Sequence, residues 1–359
     1  VKGPVDPTTH LQISCVNMVS KETGRLYDAV VAYFGAEGSF TQFICPAKSM
    51  DRPSLVEIGN ELSIDYIIPA SVCHKLGDGR QQFAISAILA LLDEFSTSSL
   101  MMKDKSHRPG VSVTLDLDII KPCYAGEKVR LVGICDKIGK SIAFISMEIR
   151  STNGELLARG KHIKFVKMGW IWDLLTSFLL FPLMLVLLEY FLSSKKNKRA
   201  SEASTVESQV GHIFDVLKLE NVLDPSALFL ADASDDGASK KKKSKRKVVP
   251  VFAEGESCCS LRVNRSLSNV LGAMHGGAIA AAAEEASRRH ISQSTKKSNN
   301  TAFVIDSMSV TYLSPTKGEL LIAVKDDAAS LVRGEKVVEG RVLSRKTGQV
   351  CAAFKCSWK

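Results

Sequence analysis

The stretch Asn269-Val270-Leu271-Gly272-Ala273-Met274-His275-Gly276-Gly277 runs straight into an alanine-rich segment at 278–283 and then Glu284-Glu285. Its His-Gly-Gly falls where a loop turns into a helix. Two glycines there let the backbone approach a ligand closely, and the unpaired N–H groups of the first helical turn carry partial positive charge. Such a helix start can cradle a developing oxyanion, with Gly276 and Gly277 at the point of contact. Asn269 lies six residues before His275, and Glu284 nine after it, about two and a half helical turns along.

Beyond this stretch the hydrophobic period changes from helical to alternating. A helix over 277–290 is followed by strands over 302–313, 319–326, 336–344 and 349–358. The first half repeats the order. Phe83, Ile85, Ile88, Leu89, Leu92, Phe95 and Leu100 make a stripe wide enough for a buried helix within 81–102. Strand-like runs follow at 111–120, 128–137, 142–150 and 156–166, with turns at 122–126, at Gly139-Lys140 and at Asn153-Gly154. The landmarks match in spacing: Asp93 and Glu284 are 191 residues apart, Pro122 and Pro315 are 193, and Gly154 and Gly348 are 194. This is the signature of an internal duplication. Asp93 and Glu94 lie inside an otherwise apolar helix, which is costly unless they face a cavity or a partner.

Ahead of each helix a shorter apolar pattern suggests an edge helix. Leu26, Val30 and Phe34 carry it over 25–34, and Val210, Ile213, Phe214 and Leu217 over 210–222. Residues 61–71 read as a strand ended by Pro69.

The 359 residues have room for two ordinary domains. Much of the +9 net charge is local, in KKKKSKRK at 240–247 and in Lys195, Lys196, Lys198 and Arg199. The folded parts are therefore near neutral, which argues against a nucleic-acid surface. Nine cysteines are scattered without metal-ligand spacing and read as reduced, buried thiols, so no metal is expected.

Between the halves lies WIWDLLTSFLLFPLMLVLLEYFL at 170–192, uncharged from 174 to 188 and flanked by Trp170, Trp172 and Tyr190. A single crossing would put the halves on opposite sides of a bilayer, where they could not pair. A monotopic or re-entrant insertion bent at Pro182 returns both ends to one face. A true span with pairing between chains, and a helix buried on the sheets, are the other readings. The basic loop at 240–247 fits contact with anionic headgroups or simple solvation.

The Asn269 spacing, His275-Gly276-Gly277, Glu284, and then Tyr312-Leu313-Ser314-Pro315 and Gly318-Glu319 resemble the hotdog-fold acyl-CoA thioesterases of the phenylacetate and human mitochondrial type. The resemblance implies an α+β fold: two hotdog domains, each a long helix wrapped by an antiparallel sheet, paired within the chain as a pseudo-dimer. The expected bounds are 1–167 for the first unit, 168–199 for the membrane-seeking helix, 200–249 for a linker and 250–359 for the second unit. Further homodimerisation of the double unit is an added expectation. The unit would sit at a membrane, catalytic domains facing the cytosol.

In this family the Asn and His-Gly-Gly of one subunit face the acid and a serine of the other. Carried over, Asn269, His275 and Gly277 complement Asp93 and Ser112 from the first half, with Gly276 against the substrate. The reverse site would pair a loop lacking His-Gly-Gly with Glu284 and Ile305, and is expected to be inactive. The implied chemistry is acyl-CoA hydrolysis without a cofactor: the Gly277 N–H polarises the carbonyl, Asp93 is general base or nucleophile, and Ser112 and Asn269 position water. His275 is expected to hold the loop. The alternative is a membrane-bound acyl-CoA binding or scaffold protein without catalysis.

Overall fold

The apolar stripe of the first half becomes a helix only after Ala84. In the computed structural model, which describes residues 19–20, 23–25, 27–28, 40–45, 49–167, 169, 213–222, 252, 255–269, 272–294, 304–327 and 336–358, residues 81–83 are strand. The first half comprises α1 (Phe40–Ile44), β1 (Met50–Ile58), β2 (Glu61–Ile67), β3 (Cys73–Lys75), β4 (Gln81–Phe83), α2 (Ile85–Lys103), β5 (Val111–Ile119), β6 (Lys128–Ile138), β7 (Ile142–Ser151) and β8 (Leu156–Phe165). The second has β9 (Glu220–Val222), β10 (Ser257–Arg262), α3 (Gly276–Ser294), β11 (Ile305–Tyr312), β12 (Glu319–Asp326), β13 (Lys336–Ser344) and β14 (Val350–Trp358).

Twelve of these strands make one antiparallel sheet in the order β1-β2-β6-β7-β8-β5-β11-β14-β13-β12-β10-β9. The order reads alike outward from the β5–β11 joint in both directions. In that joint Asp116 stands opposite Ser309, whose hydroxyl donates to the Asp116 carboxylate. These two residues are 193 positions apart, the offset already seen between Pro122 and Pro315. Pairing β5 with β11 covers two strand edges that would otherwise be open.

α2 packs against β5 to β8 and β11, and α3 against β10 and β12 to β14, so both helices cover one sheet face and touch each other. Their contact is close because it is made of small residues. A Cβ on Gly277 would stand 2.2 Å from the Ala90 Cβ. One continuous core runs through both halves. Among the described residues α2 alone is long and apolar enough to cross a membrane, but it is buried in this core on nearly every side.

Two expectations change. The apolar spacing within 210–222 suggested a helix, yet its described part is a turn at 213–217 and then β9, which pairs with Cys258-Cys259-Ser260 at the sheet edge. The i, i+4 pair Ile213 and Leu217 is buried all the same, because a tight turn brings these residues together as a helix does. Residues 81–83, taken as helix, are strand because Gln81-Gln82-Phe83 pairs with Cys73-His74-Lys75.

Residues 23–25 and 27–28 are helical, while Leu26, Val30 and Phe34 lie outside the described residues. So do the apolar segment 170–192 and the basic runs at 195–199 and 240–247. The eight described cysteines are free thiols, mostly buried.

Candidate active site

The loop ahead of α3 is closed by its own backbone. Asn269 N–H donates to Ala273 O at 2.7 Å, Gly272 N–H to Asn269 O at 3.0 Å, and Asn269 Oδ1 accepts the Ala273 N–H at 3.1 Å. Gly272 makes this turn in the left-handed region, at φ +69°, where a side chain would be strained. His275 N–H then donates to Leu267 O at 2.7 Å and its carbonyl accepts the first helical bond, from Ile279. His275 is therefore the N-cap of α3. Its Nδ1 accepts the Gly277 N–H at 3.0 Å, the service a Ser or Asp usually performs there. The N–H expected to meet a carbonyl is held by the histidine.

Asp93 comes from α2 and reaches the same place from the other half. A Cβ on Gly276 would lie 3.0 Å from Asp93 Oδ2 and 3.2 Å from the Tyr312 hydroxyl, so a side chain here would press on both groups. Tyr312 donates to Gly276 O at 3.1 Å. On its other side Asp93 Oδ1 accepts from Ser112 Oγ at 3.0 Å and lies 3.6 Å from Lys164 Nζ. Asp93, Ser112, His275, Gly276 and Gly277 are thus brought together. Asn269 has its Oδ1 in the loop turn.

Three further polar residues support Asp93. His162 Nε2 is 3.0 Å from Ser112 Oγ, its Nδ1 is 2.6 Å from Ser96 Oγ, and Lys164 donates to Thr97 Oγ1 at 2.8 Å. Because Ser112 gives its only proton to Asp93, its oxygen accepts from His162 Nε2–H, while the Ser96 hydroxyl beside Nδ1 also donates to the Asp93 backbone carbonyl at 2.9 Å. Burial, helped by Lys164, pushes His162 down to about 3 against the pull of Asp93, so the ring is neutral. Burial likewise lowers Lys164, opposed by Asp93 and Glu94. For Asp93, burial would raise the carboxyl, but Lys164 foremost, with the histidines and Ser112, holds it below the usual carboxylate range. The site offers an ionised carboxylate kept in place by one hydroxyl.

Glu94, next on α2, contacts His275 Nε2 and accepts from Thr41 Oγ1 at 2.8 Å. Burial would lower His275, but the charges of Glu94 and Asp93 outweigh it and raise the group. The sequence had marked Glu94 only as a costly charge. His162 and Lys164 were missed, though a signal was present: they alternate at inward positions of β8, where apolar residues belong.

The second half shows the same frame with different contacts. Counting nine back from each helical acid, Ala84 corresponds to His275 and Ser86 to Gly277. Ala84 is the N-cap of α2 and offers no side-chain bond. Glu284 supplies it from α3: its Oε2 accepts the Ser86 N–H at 3.0 Å, and its Oε1 meets His74 Nε2 at 2.8 Å and Arg288 at 2.9 Å. The carboxylate is fully buried. Burial is overcome by His74 first and Arg288 next, which hold Glu284 far below the usual range. Ile305 lines the adjoining cavity with Phe83 and Ile88. Among the described residues no cluster of His, Cys, Asp and Glu could hold a metal ion.

A long helix against an antiparallel sheet, with a carboxylate of one helix set at the start of the other, defines a hotdog-class protein. Part of the chain matches the thioesterase superfamily. The family model of that description matches residues 86–158, and a second, described only as a domain of unknown function (DUF4442), matches residues 246–358. Acyl-coenzyme A thioesterase 13 of Mus musculus is 36% identical over 75 residues, covering 21% of this chain and 53% of that protein. The Homo sapiens protein of the same name is 33% identical over the same lengths. The chain thus spans about half the length of the curated relatives it matches. Among solved structures, thioesterase superfamily member 2 from Mus musculus is 26% identical, with 41% of this chain and 99% of that chain covered and a TM-score of 0.34. The 12:0-ACP thioesterase from Umbellularia californica is 12% identical over 84% and 94% of the chains, with a TM-score of 0.48.

Proposed function

We propose that the protein hydrolyses acyl-CoA thioesters at one composite site between its halves, read as two hotdog units paired within the chain. The observation that carries this is the placement of Asp93 beside Gly276 at the start of α3, while its counterpart Glu284 is consumed as a helix cap. The units of this proposal are 1–167 and 250–359, with β9 added to the edge of the second from the segment between them.

In the reaction Asp93 takes a proton from water, and the water oxygen bonds to the thioester carbon. The resulting oxyanion accepts the Gly277 N–H, which exchanges His275 Nδ1 for it. The C–S bond then breaks, and the coenzyme A thiolate recovers the proton from Asp93. Ser112 holds Asp93 in the required rotamer, and Asn269 shapes the loop. No metal or organic cofactor enters this scheme.

One observation favours a second reading, a non-catalytic acyl-CoA binder: the Gly277 N–H already has an acceptor. Free thiol release from a panel of acyl-CoAs separates the two. A hydrolase releases coenzyme A, loses the activity in Asp93→Asn and keeps it in Glu284→Gln. A binder gains thermal stability with acyl-CoA and releases none.

Membrane association is part of the proposal. In addition to the apolar sequence at 170–192, which supports it by composition alone, Val111, Phe165 and Ile142 form an exposed cross-strand row, with Phe144 exposed two residues on. Vesicle flotation of the full chain, against a chain lacking 170–192, tests it, and the same samples report whether the double unit dimerises.

A further inference from the structure

Neighbouring carboxylates on α2 face different partners. Asp93 turns to Ser112 and Lys164, and Glu94 turns to His275 and to Thr41 of α1. The Phe40 ring, also from α1, lies 5.5 Å from the imidazole, tilted by 33°. His275 is therefore held from three sides: by Glu94 at Nε2, by Phe40 on its face, and by the Gly277 N–H at Nδ1.

We propose that Glu94 is a positioning residue: it accepts from His275 Nε2–H and so leaves Nδ1 free to hold the Gly277 N–H until a thioester oxygen takes that N–H over. The inference rests on the reading of this site as a thioesterase and adds a residue that reading does not use.

The argument is one of proton count. A ring nitrogen that accepts a backbone N–H carries no proton, so a neutral His275 must carry its proton on Nε2. An ionised carboxylate can only accept, so Glu94 favours this tautomer over the other. Thr41 donates to the same carboxylate and fixes its direction. In the opposite tautomer Nδ1–H would face the Gly277 N–H, donor against donor. The groups facing the ring are Glu94 and Asp93 from α2, Lys164 from β8 and Phe40 from α1. Protonation of His275 would remove the Nδ1 lone pair and open the latch, so the latch belongs to the neutral ring. The arrangement is confined to one half: the counterpart of Glu94, Glu285, pairs with Arg289 of its own helix at 2.9 Å.

The test uses the full chain, uniformly 15N-labelled, with His275→Gln to assign the resonances. Long-range 15N–1H spectra of the wild type above the His275 titration should show the Nε2–H tautomer. Glu94→Gln keeps an acceptor for Nε2–H and should keep the tautomer, with the imidazolium appearing only at lower pH. Glu94→Leu should lose the tautomer preference and lower kcat roughly tenfold, the effect of one lost charge-assisted hydrogen bond. Glu94→Gln should stay within about threefold of wild type, less than one such bond is worth.

An Nδ1–H tautomer in the wild type overturns the latch. An unchanged His275 titration in Glu94→Gln overturns the role of Glu94, and this variant decides the matter even if Glu94→Leu does not fold. A wild type that cleaves no acyl-CoA sinks the thioesterase reading instead, and the spectra still decide whether the latch exists.

Discussion

The Ser86 N–H donates to Glu284 Oε2 at 3.0 Å, so a carboxylate of the second half caps the helix of the first. Its counterpart in the other half, the Gly277 N–H, is capped by the neighbouring His275. One helix start is thereby closed by a charge that cannot leave cheaply, and the other by a ring nitrogen that a carbonyl oxygen can replace. Glu284 should therefore matter for stability and little for turnover. Glu284→Ala strands His74 and Arg288 and leaves Ser86 N–H unpaired, a loss of about 3–5 kcal/mol for a broken buried pair. Urea unfolding of wild type and variant, alongside thiol release at a temperature where both are folded, checks this. Equal stability or a lost activity would contradict it.

The same carboxylate fixes an acid limb of stability. Its folded-state pKa is depressed, so its contribution is fully present above the unfolded value, near 4.5, and is lost as pH falls below it. Asp93, also depressed, adds in the same direction. The unfolding free energy of the wild type should begin to decline below about pH 6.5, where His162 is protonated in the unfolded chain but held neutral in the fold, and should fall more steeply below about pH 4.5 as Glu284 and Asp93 add to it. Glu284→Gln, less stable at neutral pH, should show a shallower fall, measurable by denaturant titration at each pH.

At the crossing of α2 and α3, Gly277 is required by space. An alanine there would put its Cβ 2.2 Å from Ala90 Cβ and 2.9 Å from Ala90 Cα. Gly277→Ala should destabilise by about 1–3 kcal/mol, the usual penalty for overpacking. Ala90→Gly in the same chain removes the nearer clash but not the farther, so thermal melting of the double variant should show partial recovery. No recovery would place the defect elsewhere.

The strands after each helix were legible from alternation and from turns such as Asn153-Gly154, whose glycine sits at φ +82°. β12 and β13 fall where the pattern placed them, at Glu319–Asp326 and Lys336–Ser344. β1 was not legible because Pro53 interrupts it. An edge strand tolerates that proline, and the register shifts between Asp51 and Val56. The acid and the helix start could be named because their spacing is rigid along a helix. Which half each side chain would serve depended on the β5–β11 joint, a contact between residues 193 positions apart. His162 and Lys164 escaped because buried polar residues are recognised only once strand faces are known. Glu94 escaped because its partners, Thr41 and His275, lie 53 and 181 residues away.

Lys164 is the buried cation that keeps Asp93 ionised. With Lys164→Met the strongest influence lowering the Asp93 carboxyl disappears while burial, which raises it, remains, so its pKa must rise. A general base works only when ionised, and its activity is lost as pH falls through its pKa. The acid limb of kcat/KM should accordingly move to higher pH in Lys164→Met, with the plateau above it retained. Ser112→Ala removes one hydrogen bond to the same carboxylate and should move the limb the same way. It should also lower the plateau, by about 1.5–3 kcal/mol of transition-state stabilisation, because the hydroxyl fixes the rotamer as well as the charge. A limb that stays in place in both variants would mean that the titrating base is not Asp93.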